Sequence, residues 1–278
     1  MRSVLVTGAS TGIGRATALR LDGSGWKVFA GVRKEEDAAE LRAEASERLA
    51  PVILDVTVPE QIDAVAERIA AESEGSLDGL VNNAGVAIPG PLETLPLEDL
   101  RHQLEVNVIA YVAVTQALLE QIRRAEGRVV FISSIGGRLA FPFAGAYHAS
   151  KFATEAIGDV FRQELRPWGL RVSIVEPGSI DTPIWDRGQD KATEIEAKSP
   201  ATDLLYGNAI EKFRKVVRDT AERGIPPEKV AKAIAHALES PRPRSRYLVG
   251  LDAKVQARIK PFVPTPVFDR IVARTLGL

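Results

Sequence analysis

The sequence predicts an α/β fold built on a doubly wound parallel sheet of about seven strands, with helices on both faces. Short, nearly continuous apolar runs alternate with longer amphipathic segments through about the first 180 residues. Strands that are apolar throughout are buried on both faces, as in a parallel sheet covered by helices. Right-handed crossovers between such strands leave a ligand site at the carboxyl ends of the strands.

The predicted elements follow one another along the chain. Apolar runs predict strands at 4–6, 26–32, 52–54, 77–81, 128–132, 170–175 and 246–249. Helical segments are predicted after Gly14 and over about 35–49, 59–74, 97–125, 146–166, 190–198, 203–223 and 227–239. We predict one domain over residues 1–250, with 183–225 as a substrate-loop region, followed by a helical tail over 251–278.

Composition narrows the possible classes of function. The 278 residues carry a net charge of −1, which gives no reason to expect nucleic acid or an anionic membrane as a partner. The absence of cysteine excludes disulfides, thiolate metal sites and a cysteine nucleophile, and three scattered histidines do not favour a metal site. Neither a signal peptide nor an apolar segment long enough to span a bilayer is predicted, so we expect a cytoplasmic protein.

A glycine-rich segment marks the first junction between strand and helix. Gly8, Gly12 and Gly14 follow the first apolar run and precede an amphipathic helix. Glycine permits a tight turn and lets backbone N–H groups approach a pyrophosphate, while the helix N-terminus supplies positive potential. An ordinary glycine turn is the alternative, but this position favours dinucleotide binding on a Rossmann-type fold.

Tyr147 and Lys151 lie four residues apart in a predicted helix, so both side chains project from one face. A phenol with a reference pKa of about 10 transfers protons poorly at neutral pH, and a nearby ammonium is expected to lower that pKa. Alone, such residues are usually an ordinary surface pair.

His148 points about 100° away around the helix and is expected to pack rather than relay protons. His102 and His236 are expected at helix surfaces.

Seven short motifs occur in one order between residues 4 and 182. They are Thr7-Gly8-Ala9-Ser10-Thr11-Gly12-Ile13-Gly14, Asp55, Asn82-Asn83-Ala84-Gly85, Asn107, Ser134, Tyr147-x-x-x-Lys151 and Pro177-Gly178. Each is weak alone, but together they resemble the short-chain dehydrogenase/reductase family. Two further short segments, at 55–57 and 175–178, are similar to its retinol and 17β-hydroxysteroid dehydrogenase-like branch.

The resemblance implies an oxidoreductase that moves a hydride between a nicotinamide and a carbonyl or secondary alcohol, with no metal. Tyr147 would exchange the proton on oxygen, Ser134 would stabilise that oxygen, and Lys151 would tune Tyr147 and anchor the nicotinamide ribose. Asn107 would offer its backbone carbonyl, at a helix distortion, to a water on the proton path; an ordinary buried asparagine is the alternative. The implied cofactor-binding residues are Gly8, Ser10, Thr11, Gly12, Ile13, Gly14, Arg33, Asp55, Val56, Asn83, Ala84, Gly85, Tyr147, Lys151, Pro177, Gly178, Ile180 and Thr182.

The end of the second strand predicts the choice of cofactor. An acidic residue there would bond the ribose 2′-hydroxyl of NAD, but the segment reads Val32-Arg33-Lys34. In the family alignment Arg33 lies where arginine meets a 2′-phosphate, and a guanidinium suits that group. We therefore predict NADP(H) over NAD(H), although Thr11 stands where many NADP enzymes carry a second basic residue. Asp55 would lie near the adenine, or would only cap a turn or helix.

The loops implied to form the substrate pocket are apolar. With the catalytic residues, the pocket set is Ile88, Ser134, Leu139, Phe141, Phe143, Tyr147, Ile184 and Trp185. This character predicts a steroid-, retinoid- or fatty-acyl-like ketone or alcohol, unless the side chains only pack the loops.

One helix face of the tail is predicted to be apolar, with Val267, Phe268, Ile271, Val272 and Leu276. We expect this face to pack on the body or on a second subunit in preference to a membrane surface. The resemblance also implies a homodimer or homotetramer formed through the helices at 97–125 and 146–166.

Two other functions remain open at this point. A non-catalytic dinucleotide sensor on the same fold would be expected to lack Ser134, Tyr147 or Lys151, and all three are present. An epimerase or dehydratase would reuse the tyrosine–lysine pair, but the Gly-x-x-Gly-x-x-Gly spacing and the longer C-terminal substrate domain of those relatives are absent.

Overall fold

The computed structural model describes residues 1–198 and 200–278. Within these ranges seven parallel strands form one sheet, in the order β3-β2-β1-β4-β5-β6-β7. They are β1 Ser3–Val6, β2 Lys27–Val32, β3 Leu49–Ile53, β4 Gly79–Asn82, β5 Arg128–Ile132, β6 Arg171–Pro177 and β7 Arg246–Val249. Because the order reverses between β1 and β4, the carboxyl ends of the strands open a crevice there. The predicted fold class is confirmed.

Helices cover both faces of the sheet. The α-helices are α1 Gly12–Gly23, α2 Glu35–Glu44, α3 Pro59–Glu72, α4 Leu97–Leu104, α5 Ala110–Arg124, α6 Gly145–Glu164, α7 Ile184–Lys198, α8 Pro200–Glu222, α9 Glu228–Glu239, α10 Leu251–Ile259 and α11 Thr265–Leu276. Successive residues of a strand face opposite sides of the sheet. Val4 and Val6 therefore pack in a core with α1, α2 and α9, while Leu5 packs with α3 and α5.

Three predicted boundaries were wrong. The strand expected at 52–54 begins at Leu49, because the helix expected over 35–49 ends at Glu44. Pro51 lies inside this strand, where it pairs with Ala30 of β2. The strand tolerates proline because β3 is at the edge of the sheet. The helix expected over 190–198 begins earlier, at Ile184.

The tail contacts the body through part of its predicted apolar face. The rings of Phe268 and Phe141 lie 5.7 Å apart, and Leu276 is buried in a cluster with Phe143 of the pocket. Val267 and Ile271, about 100° around the helix from Phe268 and Val272, are exposed instead. No helix in the described part of the chain is long and apolar enough to cross a membrane.

Candidate active site

The β1–α1 turn is a tight cradle of backbone. Gly8 and Gly12 have φ values of 65° and 54°, in the region that favours glycine. A Cβ atom at Gly14 would lie 2.1 Å from the carbonyl oxygen of Gly8, and one at Gly8 would lie 2.8 Å from Cα of Ala84. The turn therefore accepts only glycine at these positions. Its open side, together with the N-terminus of α1, fits the pyrophosphate of a dinucleotide.

Side chains at the ends of β1 and β4 fix this cradle. The Thr7 hydroxyl accepts the backbone N–H groups of Asn83 and Ala84 at 2.9 and 3.0 Å. The Asn83 amide donates to the carbonyl oxygens of Thr7 and Gly8 at 2.9 and 3.0 Å. Thr7 is the first residue of the glycine-rich motif, and the sequence alone does not predict this role for its hydroxyl.

A π-helical segment, Glu105–Ile109, joins α4 to α5 and contains Asn107. The single long helix expected over 97–125 is therefore distorted at this residue, as implied for the proton path. The Asn107 side chain accepts the Val86 N–H at 2.9 Å and donates to the Ser150 hydroxyl at 3.1 Å. The backbone carbonyl oxygen of Asn107 accepts a hydrogen bond from the Thr154 hydroxyl at 3.2 Å.

Gln103 is a positioning residue that the sequence interpretation missed. Its side chain is fully buried, accepts the Ile88 N–H at 2.8 Å and donates to the Val86 carbonyl oxygen at 2.8 Å. Together with Asn107, one turn later, it satisfies the backbone of the loop after β4. Two amides four residues apart on one helix face were the signal that could have revealed this role.

Ser134, Tyr147 and Lys151 are brought together where β5 and α6 meet. The Ser134 hydroxyl accepts the Gly136 N–H at 3.1 Å and makes a long contact of 3.5 Å to the Pro177 carbonyl oxygen. The ammonium of buried Lys151 donates to the Ile132 carbonyl oxygen at 2.9 Å and lies 5.7 Å from the Tyr147 ring centroid.

The electrostatics of the pair differ from the expectation. Burial raises the pKa of the Tyr147 phenol, and a hydrogen bond with Ser134 partly offsets this. Burial also lowers the pKa of Lys151 to about 8, opposed by the charge of Glu155. The net shift of the phenol pKa is therefore upward, opposite to the expected lowering, because burial outweighs the interactions that favour the phenolate. At neutral pH the site holds a protonated phenol beside a charged ammonium.

His148 packs, as expected. It is buried, its Nδ1 atom lies 2.9 Å from the Gly136 carbonyl oxygen, and its ring packs edge-on against Phe141. Burial lowers the pKa of His148, although the Gly136 carbonyl opposes this shift. His148 thus supports the turn after Ser134 as a neutral ring. His102 and His236 are exposed on helices.

One cavity of about 810 Å³ unites the predicted sites. Every predicted cofactor-binding and substrate-pocket residue lines it, while Asn107 lies outside its wall. Ile88, Leu139 and Phe143 are buried, and Phe141 is partly exposed at 37%. Phe143 has a φ of 66°, a strained backbone conformation for an aromatic residue. Arg187 and Lys191 also line the cavity, so its wall is not wholly apolar.

Beyond β2, Arg33 is exposed and lines the cavity. The Asp55 carboxylate accepts the backbone N–H and the hydroxyl of Thr57 at 2.9 and 2.6 Å, which gives the aspartate the turn role left open by the sequence. Burial opposes ionisation of Asp55, but the Thr57 hydrogen bonds and the charge of Arg33 together hold its pKa below its usual value.

Asp252 is a second residue that the sequence interpretation missed. Its carboxylate accepts the Ser179 N–H at 2.7 Å, and a Cβ at Gly178 would lie 2.2 Å from it. The start of the tail thereby fixes the loop after β6, beside the cavity. The separation along the chain is too long for any local sequence signal.

A family model described as short chain dehydrogenase matches residues 2–193. The chain belongs to the short-chain dehydrogenase family. Retinol dehydrogenase 5 of Mus musculus is 38% identical over 277 residues, which cover 97% of this chain and 87% of that protein. An NADPH-dependent 3-dehydrocapnine reductase of Ornithobacterium rhinotracheale is 35% identical, over 99% of this chain and 98% of its own length. A short-chain dehydrogenase from Burkholderia cenocepacia, solved with NADP, is 26% identical with a TM-score of 0.74, over 99% of both chains.

The family identification confirms the predicted resemblance, including the likeness to retinol dehydrogenases. The protein is thus an NAD(P)-dependent oxidoreductase, and the cradle formed by Gly8, Gly12 and Gly14 fits such a cofactor.

Proposed function

We propose that the protein reduces an apolar ketone to a secondary alcohol with NADPH. The observation that carries this proposal is the arrangement of Ser134, Tyr147 and Lys151 at the end of a cavity shared with the glycine cradle. A bound nicotinamide supplies the hydride. The similarity to an NADPH-dependent reductase and to a retinol dehydrogenase supports both the cofactor and an apolar substrate.

The residues of the chain supply the rest of the chemistry. Tyr147, protonated at neutral pH, donates its proton to the carbonyl oxygen, and Ser134 donates a hydrogen bond to the same oxygen as negative charge develops there. The Lys151 ammonium then stabilises the phenolate that remains. Ile88, Leu139 and nearby apolar side chains exclude water and bind the body of the substrate.

A panel of carbonyl compounds tests this function. NADPH absorbance would be followed with a steroid ketone, a retinoid aldehyde, a long-chain aliphatic ketone and a small polar ketone. We expect kcat/KM to rise with the apolar surface of the substrate, because the cavity wall is largely apolar. Turnover of none of these compounds, or preference for the small polar ketone, would contradict the proposal.

Arg33 is proposed to select NADP(H). Arg33→Asp is expected to lower kcat/KM for NADPH about 10- to 100-fold relative to NADH, because a hydrogen-bonded charge pair with the 2′-phosphate is lost. Lys34→Asp is the matched control, since Lys34 is also exposed but does not line the cavity. An unchanged NADPH/NADH ratio in Arg33→Asp, or an equal change in both variants, would remove Arg33 as the selector.

We also propose a cytoplasmic homo-oligomer. Exposed apolar side chains at Ile109, Phe152 and Val160, near and on the helices α5 and α6, support assembly through these helices. Sedimentation velocity would detect a dimer or tetramer. Cell fractionation would test the location, and recovery in the membrane pellet would point instead to the exposed Ile259 and Phe262 of the tail.

A further inference from the structure

We propose that Glu155 is a positioning residue for the reaction. Its carboxylate maintains the positive charge of Lys151, and its ion-pair network links the helix of Lys151 to the loop after β6. This inference rests on the proposed function of the same site. Glu155 follows Lys151 by one turn of α6, so both side chains leave the same helix face. Its side chain is only 12% exposed, and the described cavity does not include it.

Glu155 packs closely against the turn that follows Ser134. A Cβ atom added to Gly137, in the turn after Ser134, would lie 2.9 Å from Cγ of Glu155 and 2.9 Å from the Ser133 hydroxyl oxygen. The Glu155 Oε1 atom and the Ser133 hydroxyl are both buried without a hydrogen-bond partner within the described residues. One carboxylate oxygen of Glu155 is therefore not committed to an ion pair.

The other oxygen belongs to a network of charges. Arg246 on β7 donates to Glu155 at 3.0 Å and to Asp159 at 2.7 Å, and it forms an ion pair with Glu176 at 3.1 Å. Arg138, which follows the turn after Ser134, donates to fully buried Glu176 at 2.8 Å. Glu176 directly precedes the Pro177-Gly178 loop. The network thus joins the helix of Lys151, the segment of Ser134 and the end of β6.

The charges around Glu155 act in opposite directions. Lys151 and Asp159 flank it on α6, Glu176 faces it from β6, and Arg246 faces it from β7. Burial and the charge of Glu176 raise the pKa of Glu155, while the hydrogen bond and the charge of Arg246 oppose this rise. An ionised Glu155 in turn favours the ammonium of Lys151, whose pKa burial has lowered to about 8. The Glu155 carboxylate therefore keeps Lys151 protonated at pH values close to the lowered pKa of that lysine.

Glu155→Gln removes this charge and keeps the shape of the side chain. Without the carboxylate, the pKa of Lys151 falls further, so the alkaline limb of kcat/KM for ketone reduction is expected to move down by about one pH unit. Asp159→Asn is the matched control, because Asp159 also binds Arg246 but lies two turns from Lys151. The alkaline limb of kcat/KM for Asp159→Asn is expected to stay at the wild-type pH. Glu155→Asp, which keeps the negative charge, is expected to leave this limb at the wild-type pH as well.

A direct titration separates this inference from the proposed function. The ¹³Cε resonance of Lys151, identified by its loss in Lys151→Met, can be titrated by NMR without any ketone. We expect a lower midpoint in Glu155→Gln than in wild type and Asp159→Asn, even if no ketone in the panel is reduced. Equal midpoints in all three, or an equal shift in Asp159→Asn, would overturn the proposal. If Glu155→Gln does not fold, Glu155→Met provides a neutral side chain of similar length for the same titration.

Discussion

Replacing Tyr147 by phenylalanine is expected to lower kcat/KM for ketone reduction by about 10²- to 10⁴-fold, the usual contribution of a positioned general acid. The phenylalanine ring fills the same volume, so substrate binding changes little and the loss falls on kcat. Burial raises the pKa of Tyr147, so the phenol is protonated at neutral pH and holds the proton that the variant lacks. Water in the site would be a poorer and less well-placed donor.

Tyr111→Phe is the control for this experiment. Tyr111 is also a buried tyrosine near Lys151, with 5.8 Å between its ring centroid and the ammonium, but it does not line the cavity. Its hydroxyl donates to the Ile132 carbonyl oxygen at 3.3 Å. We expect Tyr111→Phe to keep kcat within a few-fold of wild type, with both variants binding NADPH normally in a fluorescence titration. Similar activity of Tyr147→Phe and wild type would disprove the assignment of the proton donor.

The fold could be predicted because its signals are local. Val4, Leu5 and Val6 form a continuous apolar run because the sheet is covered on both faces, and similar runs recur in other strands of the sheet. The glycine cradle was equally visible, since Gly8, Gly12 and Gly14 are needed by the turn itself. These features depend on neighbours within a few residues, and the sequence contains those neighbours.

Features that depend on distant contacts could not be predicted. Pro51 concealed the start of β3, because only the finished sheet places that strand at an edge. Asp252 reaches Gly178 from the tail, and Arg246 joins Glu155 to Glu176 across three elements. The pKa of Tyr147 was expected to fall because spacing alone places an ammonium nearby. Burial, which spacing does not report, reverses the direction.

The close backbone packing of the glycine cradle makes it sensitive to substitution. Gly14→Ala is expected to weaken NADPH binding at least tenfold and to destabilise the fold by about 1–3 kcal/mol, the range for overpacked sites. The added methyl group would lie 2.1 Å from the Gly8 carbonyl oxygen and 2.5 Å from the Asn83 amide nitrogen. The Asn83 amide donates a hydrogen bond to the same Gly8 carbonyl oxygen. Removing the clash therefore requires either a shift of α1 or the loss of this hydrogen bond between the segments that follow β1 and β4.

Gly23→Ala, at the other end of α1, is expected to act in the opposite direction. A Cβ atom there meets nothing within 4 Å, so alanine only improves helix propensity, by about 0.5–1 kcal/mol. Thermal denaturation and NADPH titration of both variants would therefore give a lower Tm with weak binding for Gly14→Ala, and an unchanged or higher Tm with normal binding for Gly23→Ala. Normal NADPH affinity and a normal Tm in Gly14→Ala would contradict this prediction. They would show that the turn can open to accept a methyl group, and that its close packing does not determine the geometry of the cofactor site.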